Sequence, residues 1–260
     1  MDYTEFIQLV NLVEHGETSA EIFAKLEPYK VKRAVFLAAG LGSRLTPITI
    51  NTPKPLVRVH GKRIIDTLID ACLENGIDEI YVVTGYLAEE FTILQHKYPM
   101  IKLIHNADFN KANNISSAVV SCHLFENAYV FEADLLVKNP QIIRKYHYCS
   151  DVLGIWMDES TDWCLMPDGD GYVAEETVGG KNCYQMVGIY YWNKEDAKRL
   201  RKDLQETFEK VPGGRNRYWE TVPNQLHQGE YKIKIVPCSK TDVIEIDTYE
   251  ELKQIDSSYT

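Results

Sequence analysis

The spacing of apolar positions changes along the chain, and each change marks a different kind of element. Up to about residue 30, Phe6, Leu9, Val10 and Val13 recur at the interval of one helical face. His15-Gly16 interrupts that pattern. Thr18, with Glu21 three residues on, then has the form of a capping box for a second helix ending at Leu26, and Pro28 closes it. Residues 1–30 are therefore predicted to be a helical extension. It is too small to hold a core alone, so it packs on the rest of the chain or pairs with another subunit in a homodimer.

From residue 31 the pattern switches to short apolar runs separated by amphipathic stretches. Residues 34–38, 80–83, 101–104 and 128–131 read as buried strands, and residues 63–74, 89–98 and 115–124 as helices, with Asn75-Gly76 as a C-cap. Strand–helix alternation of this kind predicts a mostly parallel sheet covered on both faces. Beyond residue 150 the pattern is more mixed. Residues 152–157 and 187–192 read as strands, with Trp156 expected in the core, and Pro167-Asp-Gly-Asp-Gly171 as a hairpin tip. A charged amphipathic helix over 195–209, late strands over 233–236 and 243–246, and a short helix from Tyr249 complete the chain. No repeat interrupts residues 31–260, which are read as one domain.

Composition narrows the function classes. The 260 residues are 45% hydrophobic and 25% charged, enough to bury a full core, and the net charge is -10. An acidic balance argues against a nucleic-acid partner, because a phosphate backbone wants a basic surface. It does not argue against small phosphorylated substrates, which need only local cations. The cysteines, Cys72, Cys122, Cys149, Cys164, Cys183 and Cys238, form no C-x-x-C pair and sit mostly in apolar stretches, so they are read as reduced, buried small side chains. No apolar run reaches the length of about 18 residues that a membrane span needs, and no basic leader precedes Glu14 and Glu17. The expectation is a cytoplasmic chain with no membrane insertion.

The candidate chemistry begins where the first buried strand ends. Leu37-Ala38-Ala39-Gly40-Leu-Gly42-Ser43-Arg44 runs a strand into a glycine-rich turn, whose backbone N–H groups can approach phosphate oxygens closely. Arg44 adds a planar, permanently charged fork, and Lys54 follows ten residues later between two prolines that limit its backbone freedom. The spacing fits neither a P-loop nor a dinucleotide fingerprint. Two carboxylate groupings stand at strand ends, Glu132-Ala-Asp134 and Glu245-Ile-Asp247. Glu245 and Asp247 share a strand face, although Asp247 with Glu250 also has the form of a helix cap.

The segment L-A-A-G-L-G-S-R-L followed by T-P-K-P-L resembles the opening motif of the sugar-phosphate nucleotidyltransferase superfamily, and within it the CTP:phosphocholine cytidylyltransferases. The resemblance runs from about Val31 to the C-terminus. It implies a Rossmann-like α/β three-layer sandwich with a mixed, mostly parallel sheet and a small inserted β/α acceptor region. It implies an enzyme that transfers CMP from CTP to phosphocholine, giving CDP-choline and pyrophosphate. The small-molecule partners are then CTP and phosphocholine, and the cofactor is Mg2+.

By the same resemblance, Lys54 and Arg44 are the catalytic cations, and Asp134 and Asp247 hold the metal, with Glu132 behind them. Asn113-Asn114-Ile-Ser116 and the Thr84-Gly85-Tyr86 turn lie at the nucleotide. Trp163, Tyr190, Trp192, Tyr218 and Trp219 supply an aromatic cage for the quaternary ammonium, which cannot donate hydrogen bonds. Glu220 stands where relatives often carry Asp, which alters its reach. Three other readings remain open: a sugar 1-phosphate, phosphoethanolamine or an aminophosphonate as acceptor. A non-catalytic nucleotide sensor is a fourth, of another class.

Overall fold

The computed structural model describes residues 1–260. The elements in chain order are α1 (Tyr3–Glu14), α2 (Ala20–Leu26), β1 (Arg33–Leu37), β2 (Arg58–Val59), β3 (Lys62–Arg63), α3 (Ile64–Glu74), β4 (Ile80–Thr84), α4 (Thr92–Lys97) and β5 (Lys102–His105). They continue with α5 (Ile115–Ser121), β6 (Ala128–Glu132), β7 (Leu135–Val137), β8 (Asp151–Pro167), β9 (Val173–Trp192), α6 (Lys194–Lys210), β10 (Lys234–Cys238), β11 (Val243–Glu245) and α7 (Tyr249–Ile255).

The main sheet has 7 strands in the order β10-β8-β9-β6-β1-β4-β5. β1 runs parallel to β4 and β6, β4 parallel to β5, and β10 parallel to β8, while β9 is antiparallel to both β6 and β8. Strand alternation sends successive side chains to opposite faces. Ala34 and Phe36 of β1, with Tyr129 and Phe131 of β6, therefore pack against Ile65, Leu68 and Cys72 of α3. Val35 and Val130 pack on the other face with Ala118 of α5 and Leu200 and Leu204 of α6. The result is the expected α/β three-layer arrangement with a mixed sheet.

Several local expectations need correction. The second helix is capped by Ser19 without a side-chain hydrogen bond, so Thr18 and Glu21 form no capping box. The stretch over 89–98 splits into a 3-10 turn and the short α4. The two strands read after residue 150 are the inner ends of one long β8–β9 hairpin, whose tip is closed by Asp168 accepting from the backbone N–H groups of Asp170 and Tyr172. Trp156 is not in the core. It is 48% exposed on β8, against Tyr184.

The N-terminal helices close a small cluster of their own, in which Phe6 and Leu26 are buried against Tyr146, with Tyr29 and Tyr148 stacked beside them. Each such buried apolar side chain contributes roughly 1.5–3 kcal/mol, which seats the extension on the domain. No helix is long and apolar enough to cross a membrane.

Candidate active site

A cavity of about 540 Å³ opens beyond the C-terminal ends of β1 and β6, the position at which open α/β sheets hold ligands. Its first wall is the turn after β1. Leu37, Ala38, Ala39, Gly40, Gly42, Ser43 and Arg44 all line it. Gly42 is in the left-handed region at φ 62, and a Cβ there would lie 2.9 Å from Cβ of Lys54. The turn and the lysine are thus pressed together, and only glycine fits both the backbone conformation and the contact.

Lys54 is held in a 3-10 turn with the side chain 10% exposed. Its Nζ donates to Asp134 Oδ2 at 2.7 Å and to Asp247 Oδ1 at 2.8 Å. Arg44 Nη2 donates to the same Asp247 oxygen at 2.8 Å. Burial alone would depress the Lys54 ammonium. The charges of Asp134 and Asp247 outweigh burial and hold it above its ordinary value.

Asp247 is free for this role because Thr248 caps α7 in its place. Thr248 forms a capping box with Glu251, whose carboxylate also accepts from the Asp247 N–H. The Asp247–Glu250 cap does not form. Asp134 meets this strand through a short antiparallel ladder in which β11 pairs with β7, and the Ile246 N–H donates to the Asp134 carbonyl at 3.2 Å.

That ladder also brings in a residue the sequence reading noted but did not choose. Carboxylate oxygens of Glu132, Asp134 and Glu245 lie within 4.8 Å of one another. Burial, then the charges of Glu220 and Asp134, pushes Glu132 well above the usual carboxylate range. Burial, then Asp134 and Asp247, pushes Glu245 up to about 8. Asp134 Oδ1 is buried without a hydrogen-bond partner. Clustered oxygen donors, mutual repulsion and an orphaned buried oxygen fit a hard divalent cation such as Mg2+. Asp247, the other ligand expected, lies beside this cluster and pairs with Lys54 and Arg44. Gly188, at φ 77, lies against Glu132, where a Cβ would come within 2.9 Å of its carboxylate.

The second wall comes from β8, β9 and the loop after α6. Trp163 and Tyr218 line the cavity with their rings edge to face at 5.6 Å, next to Asp162 and Glu220. Asn114 ties this wall to the strands, since its amide donates to Glu132 at 3.3 Å and to Glu220 at 3.4 Å while its oxygen accepts from the Trp219 N–H at 2.8 Å. Burial pushes the Glu220 carboxyl up to about 8. Ser116 lines the cavity as expected, and its hydroxyl also accepts from Asn106.

The other aromatic candidates are elsewhere. Tyr190, Trp192 and Trp219 are fully buried in the core beneath α5 and α6, packed on one another and on Phe125 and Tyr231. The reason is position along the strand: Tyr190 and Trp192 pair with Val130 and Ala128, toward the start of β6, whereas Val187 and Gly188 lie beyond that pairing and border the cavity. Thr84, Gly85 and Tyr86 do not line the cavity either. Gly85 is pressed between Ala39 and Phe109, and the Tyr86 hydroxyl donates to the Thr49 carbonyl at 2.9 Å, so the turn braces the phosphate loop from behind. Phe109 and Asp162 line the cavity unannounced. Phe109 carried no signal, whereas Asp162 sat beside a tryptophan already singled out.

The description "Nucleotidyl transferase" belongs to the family whose model matches residues 33–147. The 2-aminoethylphosphonate cytidylyltransferase of Lancefieldella rimae is 35% identical over 229 residues, covering 87% of this chain and 92% of that protein. The choline-phosphate cytidylyltransferase of Haemophilus influenzae is 29% identical over 223 residues, 85% of this chain and 95% of that protein. Among solved structures, the CTP:phosphocholine cytidylyltransferase of Streptococcus pneumoniae superposes with a TM-score of 0.79 at 25% identity, over 89% of this chain and all 100% of that one.

Proposed function

This chain belongs to the nucleotidyl transferase family, as a CTP:phosphocholine cytidylyltransferase-like member, and from that premise we propose that it transfers CMP from CTP to a short acceptor carrying a phosphoryl or phosphonyl group and a primary ammonium. 2-Aminoethylphosphonate and phosphoethanolamine are the two that fit. The observation that carries this choice is the composition of the second wall, which has two carboxylates, the buried Glu220 and the exposed Asp162, but only two aromatic rings, Trp163 and Tyr218. A primary ammonium donates several hydrogen bonds and needs acceptors for them, whereas a quaternary ammonium needs several aromatic faces. The similarity to a 2-aminoethylphosphonate cytidylyltransferase supports the same reading.

In the reaction, an oxygen of the acceptor attacks the α-phosphorus of CTP in line. A new P–O bond forms, the bond to the β-phosphate bridge breaks, and pyrophosphate leaves with the electron pair. The acceptor is already ionised, so no general base is required and the protein works by positioning and charge stabilisation. The backbone from Gly40 to Ser43, with Arg44, receives the β- and γ-phosphates. Lys54 uses two of its three donors on Asp134 and Asp247, and the third is left for an oxygen of the α-phosphate or the attacking oxygen of the acceptor. Glu132, Asp134 and Glu245, with Asp247 beside them, would hold Mg2+, which would supply neutralisation of charge on the α-phosphate and the departing pyrophosphate.

Phosphocholine is the second reading, favoured by the edge-to-face pair of Trp163 and Tyr218 and by the relatives that act on it. Pyrophosphate release with Mg2+ distinguishes the two, crossing CTP and UTP against 2-aminoethylphosphonate, phosphoethanolamine, phosphocholine and glucose 1-phosphate. Turnover with CTP and a primary ammonium is expected. Turnover confined to phosphocholine overturns the acceptor choice, and turnover confined to glucose 1-phosphate overturns both. Silence throughout brings forward a nucleotide sensor without catalysis.

A further inference from the structure

The β8–β9 hairpin does not run out as a flat ribbon. Its register shifts between Ser160 and Trp163, and Gly179, at φ 76, with Gly180 lets β9 bend back. Cys164 consequently pairs along the ladder with both Thr177 and Gln185. The bend brings Cys183 onto Cys164, with Sγ atoms 3.0 Å apart and both residues fully buried as free thiols. A Cβ on Gly180 would stand 3.3 Å from Cys183 Sγ and 3.4 Å from Cys164 Sγ, so the second glycine leaves room for the two sulfurs. The remaining cysteines lie apart, in α3, after α5, before β8 and in β10.

We propose that Cys164 and Cys183 are a dithiol site that hydrogen peroxide converts into an intramolecular disulfide, stapling the hairpin behind the wall formed by Asp162 and Trp163. Disulfide bonds need sulfurs about 2.05 Å apart and nearby Cβ atoms, so closure asks for a movement on the order of 1 Å. The chemistry balances with one peroxide. One thiolate attacks a peroxide oxygen, the S–O bond forms as the O–O bond breaks, and the departing hydroxide takes up a proton as water. The neighbouring sulfur then attacks the sulfenic sulfur. The S–S bond forms, the S–O bond breaks, and the released hydroxide leaves as a second water with the proton of that thiol. The waiting second thiol, already in contact, intercepts the sulfenic acid before further oxidation.

The consequence lies next door in the chain. Asp162 and Trp163 immediately precede Cys164, and Asp162 Oδ2 accepts from the Gln185 amide across the same ladder at 3.2 Å. Drawing Cys164 toward Cys183 moves this wall relative to Glu220. That part of the inference rests on the acceptor-site reading above, whereas formation of the bond does not.

The full chain, reduced and then exposed to hydrogen peroxide, is denatured, alkylated and mapped by peptide mass spectrometry. The expected result is a peptide pair joined through Cys164 and Cys183 with the loss of two hydrogens, while Cys72, Cys122, Cys149 and Cys238 are alkylated. Cys183→Ser should stop Cys164 at the sulfenic acid, trapped by dimedone. Alkylation of both residues under conditions that oxidise exposed Met100, or oxidation to sulfinic acid without a cross-link, overturns the site. In pyrophosphate-release assays the oxidised protein should show a KM for the acceptor changed by about threefold or more, with the KM for CTP unchanged and the effect absent in Cys183→Ser. A cross-link without that change overturns the coupling to the wall. The mass readout needs no turnover, so a failure here is distinct from a failure of the proposed reaction.

Discussion

The two walls of the cavity are built in opposite ways. The first wall is one continuous stretch, Leu37 to Arg44, with Lys54 folded back on it through the missing side chain of Gly42. The second wall collects Asp162 and Trp163 from β8, Gly188 from β9, and Tyr218 and Glu220 from the loop after α6, with Asn114 as the tie. A contiguous wall specifies its chemistry by local backbone conformation. An assembled wall specifies it by which residues register brings inward, so neighbours in sequence there take unrelated roles. Tyr218 and Glu220 face the cavity while Trp219 between them is core.

Lys54→Ala tests the first wall most severely. Turnover should fall by roughly 10³-fold, with circular dichroism still reporting a folded protein, and preserved turnover would remove the central cation from the reaction. Trp192→Ala tests the claim that half the expected cage is core. It should cost roughly 3–5 kcal/mol in denaturant unfolding while leaving the KM for the acceptor in place, and a raised KM with native stability would return Trp192 to the site.

A pH profile probes the packing beneath the second wall. Glu176 is buried near the Asn224 and Gln225 amides with neither oxygen hydrogen-bonded, and burial pushes its carboxyl up to about 7. Its folded value lies above its unfolded one, so between about pH 4.5 and 7 the folded state holds a proton that the unfolded chain has released. Stability therefore falls as pH rises through that window. Glu176→Gln should lessen this slope, to which Glu220 and Glu245 also contribute, and stabilise the protein by about 1–3 kcal/mol above pH 7. An unchanged profile would mean the carboxylate is solvated.

The smallest effect sharpens the acceptor choice. Trp163→Ala should raise the KM for a primary ammonium acceptor only about threefold, the scale of one exposed cation–π contact of about 0.5–1 kcal/mol. A loss of tenfold or more, confined to phosphocholine, would favour the quaternary cage.

What the chain made legible follows the same division. The β1 turn, Arg44, Lys54 and the strand-end carboxylates could be read directly, because their chemistry is carried by residue type and spacing within one segment or at one strand end. The layered fold was legible from periodicity, since burial on both sheet faces leaves an apolar run in the sequence. The tertiary structure alone decided three things. It paired β11 with β7, which set Glu245 beside Asp134 and left Asp247 to the cations. It paired Tyr190 and Trp192 with Val130 and Ala128 deep in the sheet and left Gly188 at its end, against Glu132. It bent the long hairpin so that Cys164 met Cys183. An aromatic side chain has the same composition signal anywhere along a strand, and its depth in the sheet is set by hydrogen-bond pairing between segments far apart in the chain.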